Sequence, residues 1–159
     1  MTSQNPGIFR DFAESRNIAF HEIDLHAGDP IPKLDDYDGL WVMGGSMNVW
    51  EEEKYPWLIA EKKAIRHAVE DLRMPFLGIC LGHQLVAEAL GGQAKKTDRH
   101  EVGLFEIKPT IAGRDHPLLK SFDFSDQWVN VHLVEVTTPP EGSVILASSS
   151  QWDNHIMQV

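Results

Sequence analysis

A single cysteine, Cys80, is all the sequence holds, so no internal disulfide can form and the lone thiol is either structural or reactive. Basic residues are scarce. Lysine and arginine total 14 against 24 acids, a formal charge of −10. Such a balance repels phosphate backbones and anionic lipid surfaces, which argues against nucleic acid and membranes as partners. The acids form no long run, and Glu51 to Glu53 reads as a solvated patch. No stretch approaches the roughly 20 apolar residues of a membrane span, and Met1 to Phe12 lacks the apolar core of a signal peptide. With cysteine this rare, a reducing, cytoplasmic home is expected. Eight scattered histidines close no tetrahedral ligand set, and no phosphate-cradling P-loop is present, so no metal or other cofactor is read from the sequence.

What remains is a composition of ordinary globular type, 42% hydrophobic over 159 residues, read as one domain spanning 1–159. Turn clusters fall at Gly28 to Pro32, Gly44 to Asn48, Gly91 to Gly92, Pro109 to Pro117 and Pro139 to Gly142. Between them, Ile18 to Asp24 and Gly39 to Met43 read as strands, and Pro75 to Cys80 as a fully buried one. Trp57 to Arg73 carries Leu58, Ile65, Val69 and Leu72 at helical spacing. Leu81 to Leu90 aligns Leu81, Leu85 and Ala89, with Gly91 placed to stop the helix. Val102 to Lys108, Gln127 to Leu133, Ser143 to Ser148 and His155 to Val159 suit strands. Strand and helix alternate in the first half, which predicts an α/β fold with a three-layer, doubly wound, mostly parallel sheet. The later strands are candidates for an added antiparallel section. Both ends read as cut, since an opening buried strand is lacking and the far end stops inside an apparent strand.

The most informative segment is Met74-Pro75-Phe76-Leu77-Gly78-Ile79-Cys80-Leu81-Gly82-His83-Gln84-Leu85. It reads as a strand, a Gly-x-Cys-x-Gly turn and an amphipathic helix. A nucleophile on so sharp a turn takes strained backbone angles and needs small neighbours, which Gly78 and Gly82 supply. A lone cysteine is usually a small buried hydrophobe. Glycines two residues away on either side reverse that reading. The helix opening at Leu81 would aim its free N–H groups at the sulfur and lower the thiol pKa.

Gly78-Ile-Cys80-Leu-Gly82-His-Gln84, with Ala87-Glu-Ala-Leu-Gly-Gly92 behind it, resembles the elbow of class I (triad-type) glutamine amidotransferases, in the stand-alone, GMP-synthase-like branch. Asp38-Gly39-Leu-Trp-Val-Met-Gly44-Gly45 and Tyr55-Pro-Trp-Leu58 agree with it, and the likeness runs from about Gly7 to Val159. The resemblance implies a flavodoxin-like fold with edge elements missing. It also implies hydrolysis of the glutamine side-chain amide through a thioester on Cys80, with ammonia delivered to an acceptor. By the same resemblance the oxyanion is held by the backbone N–H groups of Gly45 and Leu81, and Gln84 and the Gly44 loop contact substrate. His132 stands where related sequences place a histidine near the substrate. Leu133 and Val134 depart from the pattern that should follow it, so a partly buried structural histidine competes with that role. Ser46 stands where the family often has proline, which bears on loop stiffness more than on chemistry. His83 is read as structural. Glutamine or a γ-glutamyl compound is the implied ligand, and a separate synthetase the implied partner.

The family supplies its general base and orienting carboxylate from a His-x-Glu near the C-terminus, and none follows Cys80. A truncated chain with an active parent is preferred over a degenerate homologue acting as a binding module, because the elbow shows no decay. The chain as written is expected to hydrolyse glutamine far more slowly than a relative carrying that motif. A γ-glutamyl peptide hydrolase built on the same elbow remains an alternative.

Overall fold

Two short parallel strands and a helix behind each carry the first part of the chain. A computed structural model describes residues 7–125 and 127–159, so the first six residues of the N-terminal reading lie outside the described residues. The chain divides into two compact units, Met1–Val86 and Ala87–Val159. In the first, a short helix α1 (Ile8–Ser15) precedes β1 (Leu40–Val42), α2 (Trp57–Arg66), β2 (Phe76–Gly78) and the start of α3 (Leu81–Ala89). β1 and β2 pair in parallel, Leu40 with Phe76, Trp41 with Leu77 and Val42 with Gly78. Leu34, Ala68 and Met74 form a buried cluster against which Ile31, Tyr37, Leu40, Ala64 and Leu72 pack.

α2 forms where the apolar spacing predicts it. Its Leu58 and Ile65 are fully buried, while Lys63 and Arg66 face water. Beyond Arg66 the helix widens into one π-type turn, His67–Asp71, so the helical stretch predicted to Arg73 ends in looser winding. α3 ends as predicted: Gly91 takes φ 89°, and the Gly92 N–H returns to the Ala87 carbonyl at 2.8 Å.

The second unit is antiparallel. β3 (Gln93–Pro109) pairs with β4 (Gln127–Thr138) over its first part and passes to β5 (Val144–Ser149) at Ile107 to Pro109. β6 (Ile156–Gln158) lies along β5, giving the order β4-β3-β5-β6, and a short helix α4 (Ile111–Arg114) follows β3. Val134, Val136, Leu146, Ala147 and Trp152 are buried in this unit.

Three expectations are corrected. The fold is α/β, but among the described residues parallel pairing is confined to β1 and β2, so the sheet is not mostly parallel. β1 and β2 are joined through α2, the long crossover that a parallel pair needs, whereas β3 to β6 pair antiparallel along one another. Ile18 to Asp24 is no strand: it makes no ladder, and Ile18 and Phe20 lie exposed. Its apolar residues are used differently, as Phe20 and Phe9 each set a ring against Trp41. Nor is β2 fully buried, for Leu77 is 38% exposed.

Candidate active site

The parallel register of β1 and β2 decides what meets at their carboxyl ends. With Val42 opposite Gly78, the chain leaving β1 through Gly44 and Gly45 and the chain leaving β2 through Ile79 and Cys80 emerge side by side. The Ile79 N–H extends the ladder to the Val42 carbonyl at 2.9 Å. Cys80 then turns sharply. Its φ is 55°, a left-handed value that a residue with a Cβ adopts at a cost of roughly 1–2 kcal/mol. α3 begins at the next residue, with the Gly82 N–H on the Ile79 carbonyl and the Gln84 N–H on the Cys80 carbonyl.

Two glycines make the turn possible by close approach. A Cβ on Gly78 would stand 2.6 Å from the Gly82 carbonyl oxygen, and one on Gly82 would stand 2.1 Å from the Val42 carbonyl oxygen. Both distances are inside van der Waals contact with backbone, which cannot swing aside.

The Cys80 thiol is half-buried and free. Burial pushes its pKa up, while the backbone N–H groups of Leu81 and Gly45, both bonded toward the sulfur, pull it down. Burial wins, so the thiol sits above its ordinary range, against the lowering expected from the helix end alone. Partial removal from water costs the thiolate more than two amide dipoles return. Alkylation of Cys80 is therefore expected to accelerate about tenfold per pH unit up to at least pH 8, because only the thiolate reacts. A rate already level at pH 7, followed with iodoacetamide and mass spectrometry, would contradict this.

Gly45 lies close under Leu81. A Cβ there would come within 2.7 Å of the Leu81 Cδ2 and 3.2 Å of the Met47 Cε. Gly44 is partly buried in the same loop. Gln84, one turn along α3, is buried at 6% exposure and is no surface residue. The structure thus brings Cys80, Leu81, Gly45, Gly44 and Gln84 into the first unit.

His132 belongs to the second unit. Its ring lies 5.3 Å from that of Trp152 and 5.8 Å from that of His155. Burial lowers its pKa, the neighbouring His155 lowers it further, and Glu101 opposes both. Glu101 is fully buried and collects three donors: Asn130 Nδ2 at 2.9 Å, His155 Nε2 at 2.8 Å and the Ser149 hydroxyl. A buried carboxylate is tolerable only when so surrounded. Nothing in the sequence singles out Glu101, since one acid in a strand normally faces water.

The Glu51 to Glu53 patch also needs correction. The Asn48 backbone N–H and side-chain Nδ2 both donate to Glu51 Oε2, at 2.7 and 3.0 Å, and the Glu51 N–H returns to the Asn48 carbonyl at 3.0 Å. Lys62, on α2, donates to the Val49 carbonyl at 3.1 Å and pairs with Glu52. Two of the three acids are thus tied to the segment that continues from Gly45. Among the described residues no group of three or more His, Cys, Asp or Glu could hold a metal ion, and no helix is long and apolar enough to cross a membrane.

A family model described as glutamine amidotransferase class-I matches residues 8–159. Over 123 residues the chain is 36% identical to the glutamine amidotransferase-like protein YfeJ of Salmonella typhimurium, covering 75% of this chain and 51% of that protein. Over 124 residues it is 37% identical to one subunit of the glutamine-hydrolyzing GMP synthase of Saccharolobus solfataricus, covering 76% of this chain and 60% of that one. The crystal structure of a glutamine amidotransferase from Methylobacillus flagellatus superposes with a TM-score of 0.86 at 29% identity, over 100% of this chain and 62% of that one. The chain spans about half to three fifths of the length of these relatives.

Proposed function

The chain belongs to the class-I glutamine amidotransferases, and from that premise we propose that Cys80 takes the side-chain amide of glutamine as its substrate. The thiolate attacks the amide carbon, forming the S–C bond of a tetrahedral adduct. As the adduct collapses the C–N bond breaks and the nitrogen takes up the proton that the thiol gave up, leaving as ammonia. Water then hydrolyses the γ-glutamyl thioester to glutamate and returns the thiol. The negative oxygen of the adduct would be met by the N–H groups of Gly45 and Leu81, with Gln84 and the Gly44 loop contacting the substrate. The observation that carries this reading is the left-handed Cys80 with both N–H groups bonded toward its sulfur. Donors fixed before the charge develops are the largest single term in this kind of catalysis, each worth on the order of 10²–10³ in rate.

The ammonia acceptor is proposed to be a separate synthetase. Relatives named as one subunit of GMP synthase support a division of labour in which one chain releases ammonia and another consumes it.

No His-x-Glu follows Cys80 in the sequence, so covalent capture tests the nucleophile more directly than turnover does. The chloroketone analogue of glutamine is expected to form one adduct, mapped by peptide mass spectrometry to Cys80, as the sulfur displaces chloride. Excess glutamine should slow the capture, and glutamate or asparagine should not. Protection by γ-glutamyl peptides in place of glutamine would move the substrate to that class. Labelling that no γ-glutamyl compound slows would remove the proposal altogether.

A further inference from the structure

The loop that carries Gly45 has nothing in its own sequence to hold it still. Gly44, Gly45 and Ser46 leave β1 in succession, and no regular element covers the segment as far as Val49. Glycines confer no stiffness of their own. Yet the Gly45 N–H has to stay within hydrogen-bond reach of the Cys80 sulfur to be of use.

Two ties, one from farther along the same connection and one from α2, act on the segment that follows Gly45. Three residues beyond Gly45, the Asn48 backbone and side-chain N–H groups close on one oxygen of Glu51. One residue further, the buried Val49 carbonyl accepts from Lys62 Nζ at 3.1 Å. Lys62 is only 17% exposed, unusual for lysine, and its ion pair with Glu52 offsets the cost of sinking an ammonium there. It reaches the loop from the middle of α2, a helix anchored by fully buried Leu58 and Ile65. The loop is therefore referenced to a rigid element, and Gly45 sits between the end of β1 and this twice-tied segment, three residues from Val42 and three from Asn48.

We infer that Lys62 and Glu51 are positioning residues, which keep the Gly45 N–H aimed at the Cys80 sulfur and, on the amidotransferase reading given above, at the oxyanion. Neither touches the reacting atoms. Each fixes the register of the one donor that does not come from Cys80's own turn. The causes that shift Cys80 are burial and the two backbone N–H groups, with no charged side chain among them. A change at Lys62 or Glu51 thus reaches the thiol through Gly45 and not through a direct charge effect.

The test follows the pH dependence of Cys80 alkylation by iodoacetamide, which needs no glutamine site, in wild type, Lys62→Met, Lys62→Arg and Glu51→Ala. Freeing the Gly45 N–H removes one of two hydrogen bonds to the thiolate. In Lys62→Met the profile is expected to move to higher pH, and the rate at pH 8 to fall roughly three- to tenfold. Lys62→Arg, which keeps donors for both Val49 and Glu52, should return most of the rate. Glu51→Ala removes a part-buried side chain that makes no ion pair with Lys62, and should shift the profile in the same direction with a smaller loss of melting temperature than Lys62→Met. Profiles of Lys62→Met and Glu51→Ala that superimpose on wild type, whatever their melting temperatures, would overturn the inference. Should Lys62→Met fail to fold, Glu51→Ala alone decides. Failure of the chloroketone to label wild-type Cys80 would count against the amidotransferase reading and leave the alkylation profiles to judge the positioning role.

Discussion

Gly82→Ala is expected to slow chloroketone capture at Cys80 by about 100-fold while changing secondary structure little. The added methyl would stand 2.1 Å from the Val42 carbonyl oxygen, 2.8 Å from its carbon and 3.1 Å from the Val42 Cβ. All three belong to a strand that pairs with β2, so β1 cannot yield without pulling its own ladder apart. The start of α3 has to move instead, and Cys80 lies one residue before it. Movement there separates the sulfur from both the Leu81 and the Gly45 N–H groups. A misplacement on the order of 1 Å in a reacting group is enough for a loss of this size. The measurement is the second-order capture rate, with circular dichroism to confirm folding and iodoacetamide as a reagent indifferent to the glutamine site. Capture within threefold of wild type would show that the elbow tolerates the methyl and that the close approach of α3 to β1 has no bearing on reactivity.

Glu61→Gln is expected to remove a large pH dependence of stability. Glu61 lies on α2 three residues after Leu58 and four before Ile65, both fully buried, so it shares their inward line. Its Oε2 is buried with no hydrogen-bond partner, and burial raises the carboxyl pKa from 4.5 to about 7. A shift of that size corresponds to about 3 kcal/mol. The sign follows from proton counting. Between the unfolded value of 4.5 and the folded value near 7, the folded chain holds a proton that the unfolded chain has released. Stability from this group is therefore complete below the lower value and is lost as pH rises through the upper one. Urea denaturation at pH 5 and pH 8 should show wild type losing about 3 kcal/mol more than Glu61→Gln over that interval. Parallel losses in the two proteins would mean that the carboxylate finds water or a cation in the folded state.

The elbow was legible in the sequence because everything it requires is local. Gly78, Cys80 and Gly82 lie within five residues, and the strand before them and the helix after them announce themselves by apolar pattern. β1, β2, α2 and α3 were all read from such patterns, with ends displaced by a few residues. α1 escaped because it is only eight residues long, too short for its Ile8, Phe9, Phe12 and Ala13 spacing to stand out, and Ile8 and Phe12 remain exposed. Ile18 to Asp24 was misread for the opposite reason. Its alternation suits a strand, but alternation cannot say whether a neighbouring strand is there to pair with.

The thiol pKa shows the same division. The turn and the helix end could be read off the order of residues, and both favour the thiolate. How deeply the sulfur sinks could not be, and burial outweighs the two N–H groups. Glu51, Lys62 and Glu101 were unreadable for a related reason. A charged side chain in a sequence is by default a solvated one, and only the packing around it reveals a buried partner.

By itself, then, the sequence determined an α/β chain with a cysteine on a strand-to-helix elbow and a Gly-Gly loop upstream, together with the family to which that pattern points. These depend on chemistry carried by neighbours in the chain. Tertiary structure alone decided that the second unit is antiparallel, that the N–H groups of Gly45 and Leu81 both act on Cys80, and that a lysine on α2 and a glutamate tie the segment following Gly45 at Val49 and Asn48. Those outcomes depend on strand register and on which groups lose water, quantities that take a value only once distant segments have packed.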